Sequence, residues 1–202
     1  MNRTVPGLGL LALLGLLSGC SASFRAHRLE RVASGWPPGL PEDAARLRSL
    51  GIAFHAATRE DGREVPLAPH RGILYRNATH WAYRRAERFT HVRSAPELAD
   101  LSVDVRLTGK HAASPLGLRV AHALTFGLIP AWERQEWTLV TTVTAQDGKQ
   151  LGRFERSEAV NTWHQLLLTL VYPFAPPPGV AADCVFDLNR ATIAEAVAAG
   201  IL

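Results

Sequence analysis

The chain is expected to fold as one α+β domain, a mostly antiparallel sheet of four or five strands with helices packed on one face. Three observations predict this. Residues 101–108 alternate with period two, Leu101, Val103, Val105 and Leu107 against Ser102, Asp104, Arg106 and Thr108, as a strand buried on one side must. Two Thr- and Val-rich runs, 137–145 and 150–156, flank the turn Gln146-Asp147-Gly148-Lys149, and with 101–108 they read as an antiparallel meander. Apolar residues recur at helical spacing over 73–89. With 202 residues, 47% hydrophobic and 20% charged, the chain is long and apolar enough to build its own core. Two cysteines are too few for a disulfide scaffold or a tetrathiolate zinc site, and a net charge of +4 is too mild to imply nucleic acid.

Each element has its own justification. Arg3 precedes an uncharged run from Gly7 to Leu17. As a helix, Gly7 to Gly19 rises only about 20 Å, short of the roughly 30 Å of hydrocarbon in a bilayer, so it reads as a secretory signal. Residues 21–40, rich in Ser, Ala, Arg and Gly and ending in Trp36-Pro37-Pro38-Gly39-Leu40, read as a tether. The folded domain is then 41–202. Pro41 to Leu50 is expected to be helical, with Glu42 and Asp43 in its first turn, Arg46 and Arg48 near its last, and Gly51 closing it. Ile52 to Ala57 reads as a strand, Asp61-Gly62 as a hairpin turn, and Arg63 to Leu67 as the return strand, with Pro66 confining it to an edge.

The helix Ile73 to Phe89 aligns Leu74, Ala78, Trp81, Ala82 and Phe89, which places Trp81 in the core. Glu158 to Leu170 is expected to be helical and nearly apolar all round toward its end, with Pro173 stopping it and Pro176-Pro177-Pro178-Gly179 forming a rigid loop. A last helix, Leu188 to Ala199, takes Asp187 or Asn189 as its cap and ends at Gly200. Cys184, followed by Val185 and Phe186, is expected to be a buried free thiol.

Leu17-Ser18-Gly19-Cys20 resembles the bacterial lipobox, in which a leucine, two small residues and a cysteine close the apolar run. The resemblance implies cleavage before Cys20, lipid on its sulfur and new amine, and attachment to a membrane through that lipid. Ser21, rather than Asp, follows the cysteine, which in this class favours the periplasmic face of the outer membrane, with inner-membrane retention the alternative. The organisation is then a signal peptide over 1–19, a lipidated N-terminus and tether over 20–40, and an α+β periplasmic domain over 41–202. Loss of 1–19 removes Arg3 and no acid. Charge is uneven along the remainder: residues 25–93 carry 13 bases and 7 acids, residues 94–202 carry 8 bases and 11 acids. The basic half can lean on anionic head groups, although a solvated arginine-rich face is the plainer reading.

The chemistry-bearing residues form no recognisable catalytic set. None of the eight histidines is spaced His-x-x-x-His, and His80 sits one turn from both Arg76 and Arg84, cations that oppose metal binding. There is no Gly-x-Ser-x-Gly elbow or Ser-x-x-Lys, and Cys184 with His164 lacks a cysteine-peptidase signature. Glu133 and Glu136, beside Trp132 and Trp137, look superficially like a glycosidase acid pair, but a solvated turn is the plainer reading. The expectation is a protein without cofactor, metal or catalytic residues.

Two apolar stretches stand out. Residues 115–132 include Leu124, Phe126, Leu128, Ile129 and Trp132, and residues 163–174 include Trp163 and Leu167. Neither is long enough to span a bilayer as a helix; core is the default expectation, and a partner or membrane surface the alternative. Leu124-Thr125-Phe126-Gly127-Leu128-Ile129-Pro130, then a strand, Asp147-Gly148 and an apolar segment with Trp163 ending at Pro173, is similar to a pattern in proteobacterial lipoproteins of unknown function. It covers roughly residues 100–175 and implies a small periplasmic lipoprotein, with no catalytic residues to carry over. The expected function is a lipid-anchored cell-envelope accessory protein that binds another envelope component or itself, without nucleic acid. The alternatives are an oligomeric membrane-inserting assembly or secretion component, as the curli-secretion lipoproteins are, and a cell-wall or glycan-acting enzyme.

Overall fold

The structure is a computed structural model that describes residues 21–25, 36–38, 47–60, 63–96, 99–170, 173–174 and 176–202. Cys20 and the signal segment, residues 41–46 of the expected first helix and the Asp61-Gly62 turn lie outside the described residues. The elements are β1 (Ser21–Arg25), β2 (Arg48–Glu60), β3 (Arg63–Pro66), α1 (Pro69–Arg85), β4 (Phe89–Arg93), β5 (Leu101–Ala113), α2 (Leu116–Leu124), β6 (Ala131–Ala145), β7 (Gln150–His164), a short 3-10 helix (Leu166–Leu170) and α3 (Pro177–Ala198).

The fold is α+β, and its sheet is mostly antiparallel. The expected meander is present, with β5, β6 and β7 side by side, and the β6–β7 turn closes through Ala145 N–H to Lys149 O at 2.9 Å. The sheet has seven strands rather than four or five, in the order β1-β7-β6-β5-β2-β3, with β4 pairing β2 off that path. It is also mixed. β2 runs parallel to β5, from Leu50↔Leu101 to Arg59↔Lys110, and parallel to β4. A parallel pair needs a long crossover, and α1 lies in the one between β2 and β5. β3 returns antiparallel along β2, Ala57↔Pro66, as expected.

The alternating side of β5 is the core: Leu101, Val103, Val105 and Leu107 are buried. Trp137, Leu139 and Val143 of β6 join them, and α1 adds Tyr75, Thr79, Ala82 and Tyr83. Residues 184–196 of α3 add Cys184, Val185, Leu188, Ile193 and Ala196. Tyr75 meets Trp137 edge-on, ring centres 5.0 Å apart at 71°. Gly109 makes room for that indole, because a Cβ there would stand 2.7 Å from Trp137 Cζ3. Gly51 does the same for a crossing backbone, since its Cβ would come within 2.8 Å of the Ala95 carbonyl oxygen. Between the helices, buried Asn189 donates from Nδ2 to Thr79 Oγ1 at 3.1 Å and to the Val185 carbonyl at 2.8 Å.

Several expectations are corrected. Residues 21–25 are not tether but β1, antiparallel to β7 in the register Ser21↔His164 to Arg25↔Val160. The small residues that resemble a linker fit closely here: Ala22 and Ser23 are buried, and the Ser23 and Thr162 hydroxyls lie 2.6 Å apart. Residues 158–164 are not helical; β7 continues through them because it is bonded on both sides, by β6 and β1. Only Leu166–Leu170 is helical there, as a 3-10 turn. Leu50, expected in a helix, is buried on β2.

α3 begins at Pro177, where prolines in the first turn forfeit no intrahelical hydrogen bond, so the expected rigid loop is helix and Asp187 and Asn189 are interior to it. Gly200, at φ +71°, follows its end as expected. α1 covers 69–85 rather than 73–89, and Phe89 starts β4. Trp81 is not core but 50% exposed.

The chain forms two compact units. The first comprises β1, Ala112–Arg134 and Val160–Ala181; the second comprises Gln135–Ala159, Ala182–Leu202 and the described residues between 36 and 111. The core just described belongs to the second unit.

Candidate functional site

The first unit departs most from an ordinary globular surface. Its helix α2 has the sequence LGLRVAHAL, begins after Pro115, and buries none of its residues. Leu116, Val120 and Leu124 are four apart and so form one stripe along the helix, with exposures of 73%, 48% and 76%.

The chain then turns sharply. Phe126 adopts φ +50°, a left-handed conformation that costs a bulky residue on the order of 1–3 kcal/mol, and Gly127 follows at φ +82°. Hydrogen bonds over-determine this turn. Thr125 Oγ1 donates to the Ala121 carbonyl at 2.8 Å and accepts from Ile129 N–H at 3.1 Å. Gly127 N–H reaches the His122 carbonyl at 2.9 Å, and His122 Nδ1 donates to the Ile129 carbonyl at 2.7 Å. Phe126 and Leu128 are held exposed on this stiff loop. Leu166 N–H donates to the Gly127 carbonyl at 3.0 Å, which ties the 3-10 helix and its exposed Leu167 to the same loop.

Phe24, Trp163 and Phe174 are exposed in this unit as well. Ten of the thirteen exposed large hydrophobic residues among the described residues fall in it. A concentration of exposed apolar side chains in one unit makes it the candidate contact surface. The charge around it is positive: among the described residues of the unit, Arg25, Arg119 and Arg134 face one acid, Glu133.

Leu124, Phe126, Leu128, Ile129, Trp163 and Leu167, singled out in the sequence, are all exposed and all in this unit. Trp132 is partly buried, its backbone N–H and carbonyl both bonded to Ser114 Oγ at 2.6 and 2.7 Å. Core, the default expectation for 115–132, is corrected for its large apolar residues from Leu116 to Ile129, because no described segment covers α2; Ala131 is buried. Leu116 and Val120 fall within the 115–132 stretch and Phe174 ends the 163–174 stretch, whereas Phe24 lies outside both and was missed by sequence reasoning.

A cavity of about 300 Å³ in the first unit is lined by Arg119, His122, Trp132, Glu133 and His164, with His164 Nε2 3.7 Å from Glu133 Oε1. Glu133 and Glu136 are not on a turn but on β6; three apart on a strand, their side chains leave opposite faces, which is not the geometry of an acid pair.

The second unit carries a groove of about 640 Å³ lined by Arg76, His80, Trp81, Arg84, Ser94 and Phe186, among others. Trp81 packs on Phe186 at 5.1 Å and carries the Arg85 guanidinium 4.1 Å from its ring centre. Burial holds the His80 imidazole below its ordinary pKa, and Arg84 and Arg76 push it the same way. Cys184 is fully buried. Among the described residues, no group of three or more His, Cys, Asp or Glu is placed to hold a metal ion.

No family model and no curated protein matches the chain. Among solved structures it is similar to a PelC dodecamer from Paraburkholderia phytofirmans, at 12% identity over 72% of this chain and 87% of that one. The TM-score is 0.34, a likeness too distant to bear on function.

Proposed function

We propose that this protein is a lipid-anchored cell-envelope accessory protein that acts by binding another envelope component rather than by catalysis. The observation that carries the reading is the concentration of exposed apolar side chains in the first unit, above all Leu124, Phe126, Leu128 and Leu167. Burying one such side chain on association is worth about 1.5–3 kcal/mol, so a handful supplies ample affinity. Holding Phe126 in a left-handed conformation with its ring exposed is hard to reconcile with a purely structural role. The lipobox-like Leu17-Ser18-Gly19-Cys20 supports the anchor, and Ser21 supports the outer membrane.

The two halves of the reading are tested separately. Full-length lipoprotein carrying Phe126→Asp and Leu128→Asp is expected to lose its in-cell crosslinks to the envelope component while its unfolding midpoint stays put; crosslinks that persist would sink the surface assignment. Cys20→Ala is expected to leave an uncleaved precursor that takes up no labelled palmitate, and continued labelling would refute the anchor.

A further inference from the structure

We infer that the envelope component met by the apolar surface of the first unit is the lipid leaflet that holds the protein's own anchor. This rests on the proposed contact surface and on the reading that Cys20 is acylated. Its basis is the position of β1: the residue after Cys20 does not open a long linker but begins a strand, and Ser21 is paired with His164. Ser21, which follows the lipid-bearing position in sequence, lies on β1, the strand at one end of the sheet order. Ala22 pairs with Trp163, which is exposed, and just past His164 comes the 3-10 helix with exposed Leu167. The Leu166–Gly127 hydrogen bond carries the connection on to the rigid turn that displays Phe126 and Leu128. Trp163, Leu167 and Phe126 are all exposed in the unit that also holds Ser21, the residue that follows the anchor position in sequence.

The chemistry of that surface suits a leaflet. Its tips are Leu and Phe, exposed Trp163 has the amphipathic ring favoured at a membrane interface, and exposed Arg119 on α2 suits anionic head groups. The insertion is shallow, because no described helix is long and apolar enough to cross a membrane and α2 has nine residues. Lipid chains and apolar side chains then act together, a two-signal attachment that fixes this unit against the membrane instead of leaving it to swing on its anchor.

The processed lipoprotein, with Phe126→Cys labelled by an environment-sensitive fluorophore and reconstituted into phosphatidylethanolamine–phosphatidylglycerol vesicles, tests this. Leu124→Cys is a second probe site that keeps the test valid if the turn does not tolerate the first. Val65→Cys, exposed on the second unit, is the water-facing control. Emission at 126 and 124 is expected to shift to the blue and to be quenched by lipids carrying a shallow nitroxide, while the probe at 65 is quenched by aqueous iodide. Iodide quenching at 126 and 124 equal to that at 65 would overturn the seating. Shielding from both quenchers would overturn it too, in favour of a second copy or a protein partner covering the surface. Palmitate on the same preparation is measured independently: its absence refutes the anchor, and its presence with no nitroxide quenching refutes the seating alone.

Discussion

At the scale of the residue, one side-chain type takes opposite roles. Leu107 is 1% exposed and Leu124 is 76% exposed. Leu107→Ala is expected to cost about 2–5 kcal/mol, whereas Leu124→Ala should stay within about 0.5 kcal/mol, both read from urea unfolding. Leu107 was legible in the sequence because β5 alternates strictly, and alternation names the buried face without knowledge of the neighbours. Leu124 was legible as part of the apolar stretch 115–132 but not as exposed, because an apolar run does not record what covers it. His80 carries a pH prediction. Its folded pKa is lowered, so the unfolded chain binds more protons; the stability it contributes is complete above the unfolded pKa of about 6.5 and is lost as pH falls through it. The urea midpoint of the wild type should fall between about pH 7.5 and pH 5.5, and His80→Gln should fall less. An equal fall in both proteins would show that His80 is not the titrating group.

At the scale of the element, the strands of the meander were legible in position, and the segments at its ends were not. The helix expected over 158–170 leaned on the run from Leu166, which is apolar nearly all round, and a run of that kind has no period to read. Pairing decided it: β7 gains hydrogen bonds from β6 and β1 together, which a helix over 158–164 would forfeit. Residues 21–25 were misread for the complementary reason. Small polar residues look like linker until a partner strand supplies bonds and a close neighbour for them. Hydrogen exchange distinguishes the two states. Amides of 21–25 are expected to be protected, and Ser23→Pro should speed exchange over 160–164 while 150–158 stays unchanged. A wild-type chain that exchanges completely over 21–25 within seconds would restore the tether. The turn at Phe126–Gly127 had a weaker sequence signal, since only Gly127 hinted at left-handed backbone, and the bonds that force Phe126 there come from Thr125, His122 and their neighbours.

At the scale of the whole molecule, periodicity anticipated an α+β chain and composition a self-sufficient core, and the seven-stranded sheet with its helices agrees with that class. The parallel pairing of β2 with β5 was not legible. It depends on a crossover containing α1, and nothing local to either strand states its direction. The proposed anchor and the proposed contact surface make separable demands at this scale: Cys20→Ala removes acylation, and the paired Phe126 and Leu128 substitutions remove only the surface. What the sequence by itself determined was local: the period-two burial of β5, the β6–β7 turn, the two apolar stretches and the lipobox-like tetrapeptide, each readable within a few residues. What only the tertiary structure decided was the fate of the apolar stretches and of the small residues at 21–25. Burial is set by which distant segments arrive to cover a face. Among the described residues nothing covers α2, whereas β7 arrives to pair with β1.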